Sequence, residues 1–370
     1  MRIVWDARVL CGPEIRGIGS YMSNLVPAML DRRPDLDIQL FTDSPPPSQL
    51  RLRGLVPQMV GPTKGYRWQL WERFVLPWHA RRAGADLLHS PANTTPQRAP
   101  MPRVVTVHDV IPYLSHVTDA SPQGRYWCRT VPDGVRRAAA VVTDSEVSRT
   151  DIARVFEVPA DRIDVVPLAV GSDVRPPADV ESSLRDRAIQ PPYVLALAAT
   201  APRKNTLGVL RVFQRMARQN HDVRLVLTGV GPGLRVQITR ALMELGIPVD
   251  RVHLFGFVDT DTRNALYAGS AAFLFLSLYE GFGLPILEAM RCGAPVVCSS
   301  RASCPEVAGD AAALVDPADE PAVAAIALDV VGLSGAARRQ WQARGFARER
   351  QFSWSDTARM TLDVYDRVCA

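Results

Sequence analysis

Two carboxylates and a glycine turn make the densest cluster of usable chemistry in this 370-residue chain. Glu280 and Glu288 bracket Gly281-Phe282-Gly283-Leu284-Pro285-Ile286-Leu287, and an apolar run over 271–276 precedes them. The run reads as a buried parallel strand. Two glycines permit a sharp turn. Pro285 suits the first position of a helix, where a missing N–H costs nothing. The pattern predicts strand, carboxylate, glycine turn and helix N-terminus, in that order. Free N–H groups and the positive end of the helix dipole make such a terminus an anion site. Phosphate would go to the amides of Phe282, Gly283 and Leu284, and sugar hydroxyls to the carboxylates. A nucleotide-sugar needs both. The plain alternative is an ordinary strand–turn–helix with two surface glutamates.

Other strand ends carry chemistry too. Arg203-Lys204 follows an apolar run over 193–198, and two cations at a strand's carboxyl end can grip a diphosphate. Lysine occurs only at 64 and 204 in a chain that otherwise uses arginine. A solvated surface pair is the competing reading. The turn from Gly12 to Gly19 follows the first strand and includes Gly17; it lacks the G-x-G-x-x-G spacing of a dinucleotide fold. His108 and Asp109 end another strand, where a histidine would face a ligand and not the core. Asp109 could position a hydroxyl, fix the imidazole or cap a helix. Asp144 or Ser145 reads as a helix N-cap. Gly229–Gly233 and Gly256-Phe257-Val258 end two further strands.

Composition narrows the class. The net charge of +5, from 43 basic and 38 acidic residues, is too mild for a nucleic-acid partner; it suits an anionic acceptor or a membrane surface. The six cysteines include no C-x-x-C pair, which fits a reducing cytoplasm and argues against structural zinc. No uncharged apolar stretch reaches the length of a membrane span. Asp6 comes too early for a signal peptide.

Short β-branched runs at 2–5, 38–42, 87–88, 104–107, 141–143 and 163–166 alternate with helical stretches. A second series lies at 193–198, 225–228, 252–254, 272–276, 295–298 and 312–315. This alternation predicts two doubly wound α/β domains, whose ligands bind beyond the strands' carboxyl ends. The charged, proline-rich segment between them reads as a linker over 173–190. After Ser353, the residues Ala358, Leu362, Tyr365 and Cys369 recur at helical spacing. Leu70, Trp71, Phe74, Val75 and Trp78 fall on one helical stripe flanked by Arg67, Arg73, Arg81 and Arg82. That stripe suits core or subunit packing, or a lipid or acceptor contact.

The segment Ser277–Pro285 with Glu288-Ala289-Met290 resembles the E-x7-E motif of retaining glycosyltransferases of family 4. Leu276 stands where that family usually has proline, which leaves the carboxylates untouched. The resemblance extends from the Gly17 loop to the final helix. It implies a GT-B fold: two Rossmann-like domains facing a central cleft. Residues 1–172 would form the acceptor side and 191–352 the nucleotide-sugar side, with a helix over 353–370 crossing back. It further implies that Arg203, Lys204 and the 282–284 amides hold the diphosphate. Glu280 would hold sugar hydroxyls, Glu288 the ribose and Val258 the base. Gly17 would approach the donor phosphates, and His108 would touch the transferred sugar. No cofactor is expected, and no Asp-x-Asp metal motif is read near a suitable strand end, so metal independence is expected. The texture around Glu280 and from Pro305 to Pro317 looks like mannosyltransferases of bacterial polysaccharide assembly. That favours GDP-mannose or a GDP-deoxyhexose over a UDP- or dTDP-sugar, and a glycan or lipid-linked acceptor. The expected location is the cytoplasm, with peripheral contact at the inner membrane face as one reading; the oligomeric state is not fixed. A silent GT-B partner protein and a nucleotide-sugar epimerase are the alternatives. Both sit poorly with an intact cation pair and E-x7-E segment.

Overall fold

The computed structural model describes residues 1–11, 17–48, 50, 52–61, 68–114 and 122–370. The chain divides into two compact units, Met1–Leu168 with Ser353–Ala370, and Ala169–Phe352.

In the first unit the described strands are β1 (Arg2–Asp6), β2 (Asp37–Thr42), β3 (Gln58–Met59), β4 (Leu87–Ser90), β5 (Arg103–Thr106), β6 (Ala140–Thr143) and β7 (Ile163–Val165). They form one parallel sheet in the order β3-β2-β1-β4-β5-β6-β7. β1 is buried on both faces, as a parallel sheet covered by crossover helices requires. β3 has two exposed residues and carries no apolar signal. The second unit holds β8 (Tyr193–Leu197), β9 (Arg224–Thr228), β10 (Val252–Leu254), β11 (Ala272–Phe275), β12 (Val296–Ser299) and β13 (Ala313–Val315). Its order is β10-β9-β8-β11-β12-β13, again parallel. The winding direction reverses between β1 and β4 in one sheet and between β8 and β11 in the other. Crevices for ligands open at such reversals.

The segment read as a linker is not a bare connection. It contains the helix Val180–Arg185, capped by Asp179 and anchored by buried Leu184. This helix packs on Thr260–Gly269 within the second unit. Proline and charge there mark a capped surface helix.

The last helix, Trp354–Cys369, starts at Ser353, whose hydroxyl accepts the Asp356 N–H at 3.0 Å. It packs against Ile18–Arg32 through Ala358, Leu362 and Tyr365; Cys369 is exposed, so the apolar face ends one turn early. Tyr365 reaches the ring of His89, which also meets Thr106 Oγ1 at 2.8 Å and lies 4.0 Å from Trp5. Burial pushes His89 down to about 3, so it is a neutral core histidine. A folded-state value below the ordinary one means that acid favours the unfolded chain. His89 should therefore cost stability as pH falls below about 6.5, by up to ~1.4 kcal/mol per pH unit. Urea midpoints at neutral and mildly acid pH should show this loss in the wild type and a shallower one in His89→Asn; equal slopes would refute it.

Candidate active site

The reversal between β8 and β11 brings together residues 76 or 77 apart in sequence. Just past β8, the short 3-10 turn Pro202–Lys204 ends at Asn205, which takes a left-handed φ of 55° and extends its amide to Leu276 O at 3.1 Å. Just past β11 comes Glu280. Its carboxylate accepts from Arg203 Nη1 at 2.9 Å and from Lys204 Nζ at 2.6 Å. Arg203 also reaches Tyr279 O at 3.2 Å, and Lys204 lies 5.5 Å from the centre of the Phe275 ring. Glu280 is buried, while both cations remain partly open to solvent.

The glycine turn follows directly. Gly283 has a φ of 108°, a conformation that a side chain would strain, and it precedes the helix Leu284–Arg291. Pro285 takes the second helical position, one later than the sequence pattern implied, where it still removes no intrahelical bond. Ser303, from the loop after β12, turns its hydroxyl to Glu280 O at 2.9 Å and Phe282 O at 2.7 Å. Sequence reasoning missed this brace because nothing near Ser303 marks it; only the pairing of β11 with β12 brings the loops together. Two cations held by a carboxylate beside a helix N-terminus can exchange it for a diphosphate, which frees the carboxylate to meet sugar hydroxyls.

Glu288, in the second turn of the helix, points elsewhere. Tyr267 donates to it at 3.2 Å and Arg263 lies at 3.7 Å, with Asp173 sharing Arg263 at 2.9 Å. Burial raises its pKa, against the pull of Arg263. Val258 is half-buried in the loop after edge strand β10. It shares the sheet's carboxyl edge with Glu280 but lies at the far side of β9 and β8.

The first unit holds a second constellation. His108 follows β5, and Asp144 follows neighbouring β6. Thr143 Oγ1 donates to Val107 O at 2.7 Å, which sets the two strand ends level. His108 Nδ1 meets Asp144 Oδ2 at 2.7 Å, and Nε2 meets Pro91 O at 3.0 Å. Both oxygens accept, so both ring nitrogens must carry protons: the geometry is that of an imidazolium. Burial alone would lower its pKa; the charge and hydrogen bond of Asp144 outweigh this, and the net shift is upward. Asp144 Oδ1 is buried with no hydrogen-bond partner among the described residues. The helix cap is therefore Ser145, which accepts from Ser148 N at 3.1 Å. Asp144 is free to serve the histidine, a role that level registration of adjacent strands could have suggested.

Asp109 accepts the Ile111 N–H at 2.9 Å and shapes the following turn, and its charge adds to the upward shift of His108. Gly17 has a φ of 49° and precedes the helix Ile18–Arg32 with open space around it. That helix starts two residues before Ser20. Residues 12–16 of the glycine turn, and Lys64 and Arg67, lie outside the described residues.

Sequence and fold comparisons identify the family and the fold. The description "Glycosyltransferase Family 4" matches residues 15–173, and "Glycosyl transferases group 1" matches 191–332. O-antigen chain mannosyltransferase B of Escherichia coli is 34% identical over 292 residues, covering 78% of this chain and 76% of the relative. MMP alpha-(1->4)-mannosyltransferase of Mycolicibacterium hassiacum is 32% identical over 283 residues, covering 73% and 66%. The serotype-specific mannosyltransferase WbdA of Escherichia coli is 30% identical over 277 residues, and this chain spans only 34% of its length. Among solved structures, the sucrose-phosphate synthase of Thermosynechococcus elongatus superposes with a TM-score of 0.77 at 19% identity, covering 99% of this chain and 98% of that one. WaaG, a glycosyltransferase involved in lipopolysaccharide biosynthesis, gives 0.72 at 13% identity, covering 98% and 99%. The chain is a member of glycosyltransferase family 4, built on the GT-B fold.

Proposed function

We propose that the protein transfers mannose or a closely related hexose, with retention of configuration, from a nucleotide-diphospho-sugar to a glycan or lipid-linked sugar. The carrying observation is the bridge from Glu280 to Arg203 and Lys204 at the β8–β11 reversal. Without donor, the carboxylate neutralises the two cations. A diphosphate competes for both and releases Glu280 toward the sugar hydroxyls. The amides at 282–284 complete the phosphate cradle. Glu288 is assigned to the ribose, with Tyr267 and Arg263 as the partners it must exchange, and Val258 to the base. Gly17 serves the donor phosphates, and His108 serves substrate from the first unit.

No side chain is assigned as a covalent nucleophile. The acceptor hydroxyl attacks the anomeric carbon on the face the leaving group departs from, and its proton passes to the leaving phosphate oxygen. Charge on that phosphate is then met by Arg203 and Lys204 rather than by a divalent ion. Mannose is the favoured sugar, supported by the mannosyltransferase names of the relatives, and GDP-mannose is the donor proposed to carry it.

Calorimetric titration with GDP-mannose, UDP-glucose and a dTDP-hexose tests the donor assignment. GDP-mannose should bind with chelator present. Tight binding of another sugar nucleotide would replace the base and sugar; failure of all three, and of GDP and UDP, would sink the transferase reading.

A further inference from the structure

The helical segment from Trp68 to Arg82 has two faces, where its sequence reads as one stripe. Trp71, Leu76 and Ala80 are fully buried, and Trp71 donates its indole N–H to Val60 O at 2.6 Å. Leu70, Phe74 and Trp78 face the other way, with exposures of 54%, 58% and 52%. They recur every four residues and so form one line of large apolar groups on a water-facing helix. Single exposed apolar side chains are ordinary; an aligned set of three marks a contact surface.

The charges around this line are of one sign. Arg73 lies 5.3 Å from the centre of the Phe74 ring and Arg82 lies 4.7 Å from that of Trp78. Arg81 and Arg98 are also exposed. Among the described residues none of these four guanidinium groups is paired with a carboxylate. The nearby acids are already taken. Glu72 turns inward to Arg8 at 2.7 Å and Thr94 at 2.8 Å, and Asp133 binds Arg137 at 2.8 Å. Beside the helix an open groove of about 650 Å³ is lined by Arg73, Phe74, Pro77, Arg98, Pro100 and Arg137.

We propose that this face docks on an anionic lipid surface. Leu70, Phe74 and Trp78 enter the boundary between headgroups and acyl chains, while Arg73, Arg81, Arg82 and Arg98 meet lipid phosphates. Aromatic rings carrying stacked guanidinium groups suit that boundary, which is apolar on one side and anionic on the other. A second copy of the chain is a poor occupant, because a two-fold contact would press this cationic face against itself. No single helix among the described residues is long and apolar enough to cross a membrane, so this would be surface attachment.

Flotation of the full chain with vesicles tests the proposal without donor or acceptor, and so independently of the transferase reading. The probes are phosphatidylcholine alone and phosphatidylcholine with about one third phosphatidylglycerol. The wild type should float with the anionic vesicles, bind the neutral ones at least about tenfold less, and be released near ~0.5 M NaCl. Phe74→Ser with Trp78→Ser, and separately Arg81→Glu with Arg82→Glu, should each weaken anionic binding by about tenfold or more. Circular-dichroism melts report whether each pair folds, and the charge reversal carries the test if the apolar pair does not. Transfer to a water-soluble acceptor should stay unchanged. The proposal is overturned if the wild type ignores anionic vesicles or if the folded variants float as it does. It is equally overturned if sedimentation shows a dimer that Phe74→Ser with Trp78→Ser dissolves.

Discussion

In Lys204→Ala, binding of nucleoside diphosphate and sugar transfer both fall, transfer by about a thousandfold or ~4 kcal/mol of barrier. The ammonium group sits 2.6 Å from Glu280 and next to Arg203, so its loss leaves one cation for two phosphates. Glu280→Gln should separate these two effects. It removes the anion that competes for the cation pair, so GDP should bind as well as before or up to about tenfold tighter. Transfer should nevertheless fall by about 10²-fold or more, because the released carboxylate no longer holds the sugar. Calorimetry with GDP and initial rates on the same three proteins check the pattern. If Glu280→Gln weakens GDP as much as Lys204→Ala does, the exchange of carboxylate for diphosphate is wrong and Glu280 is a brace for the two cations.

Asp144→Asn is expected to cost about a hundredfold in kcat/KM while leaving the fold in place. An asparagine can still accept from His108 Nδ1, but it supplies no charge to sustain the imidazolium. The neutral ring would then set an Nε2 lone pair against Pro91 O, 3.0 Å away, and the ring would rotate. The pH dependence gives a readout that a packing role would not move. His108 is raised by Asp144, so its charged form persists above the ordinary histidine range and is lost as pH rises through the folded-state value. The alkaline limb of the rate profile should therefore shift to lower pH in the variant. An unchanged limb would remove His108 from substrate recognition.

How much of this could be read beforehand follows from what each residue signals locally. Parallel strands buried on both faces are continuous apolar runs, and nearly all of them stand out in the sequence. β3 does not, because two exposed edge residues carry no pattern. The strand-end positions of Glu280, Arg203, Lys204 and His108 were legible for the same reason: each follows an apolar run. Their partners were not. Asp144 beside Ser145 offers two equal helix caps, and only the register of β5 on β6 decides between them. Ser303 and Tyr267 act through neighbours distant in sequence. The stripe at 70–78 shows the limit of periodicity. Spacing locates a face, but buried Trp71 and exposed Phe74 are told apart only by what packs on them.

The most direct test is product stereochemistry. The full chain is incubated with GDP-mannose and a short mannoside acceptor in chelator, and the new linkage is assigned by proton–carbon NMR. The account requires an α-linked product from the α-configured donor, formed without added divalent ion and lost in Lys204→Ala. A β-linked product, or free GDP with an epimerised sugar and no acceptor consumed, would contradict it.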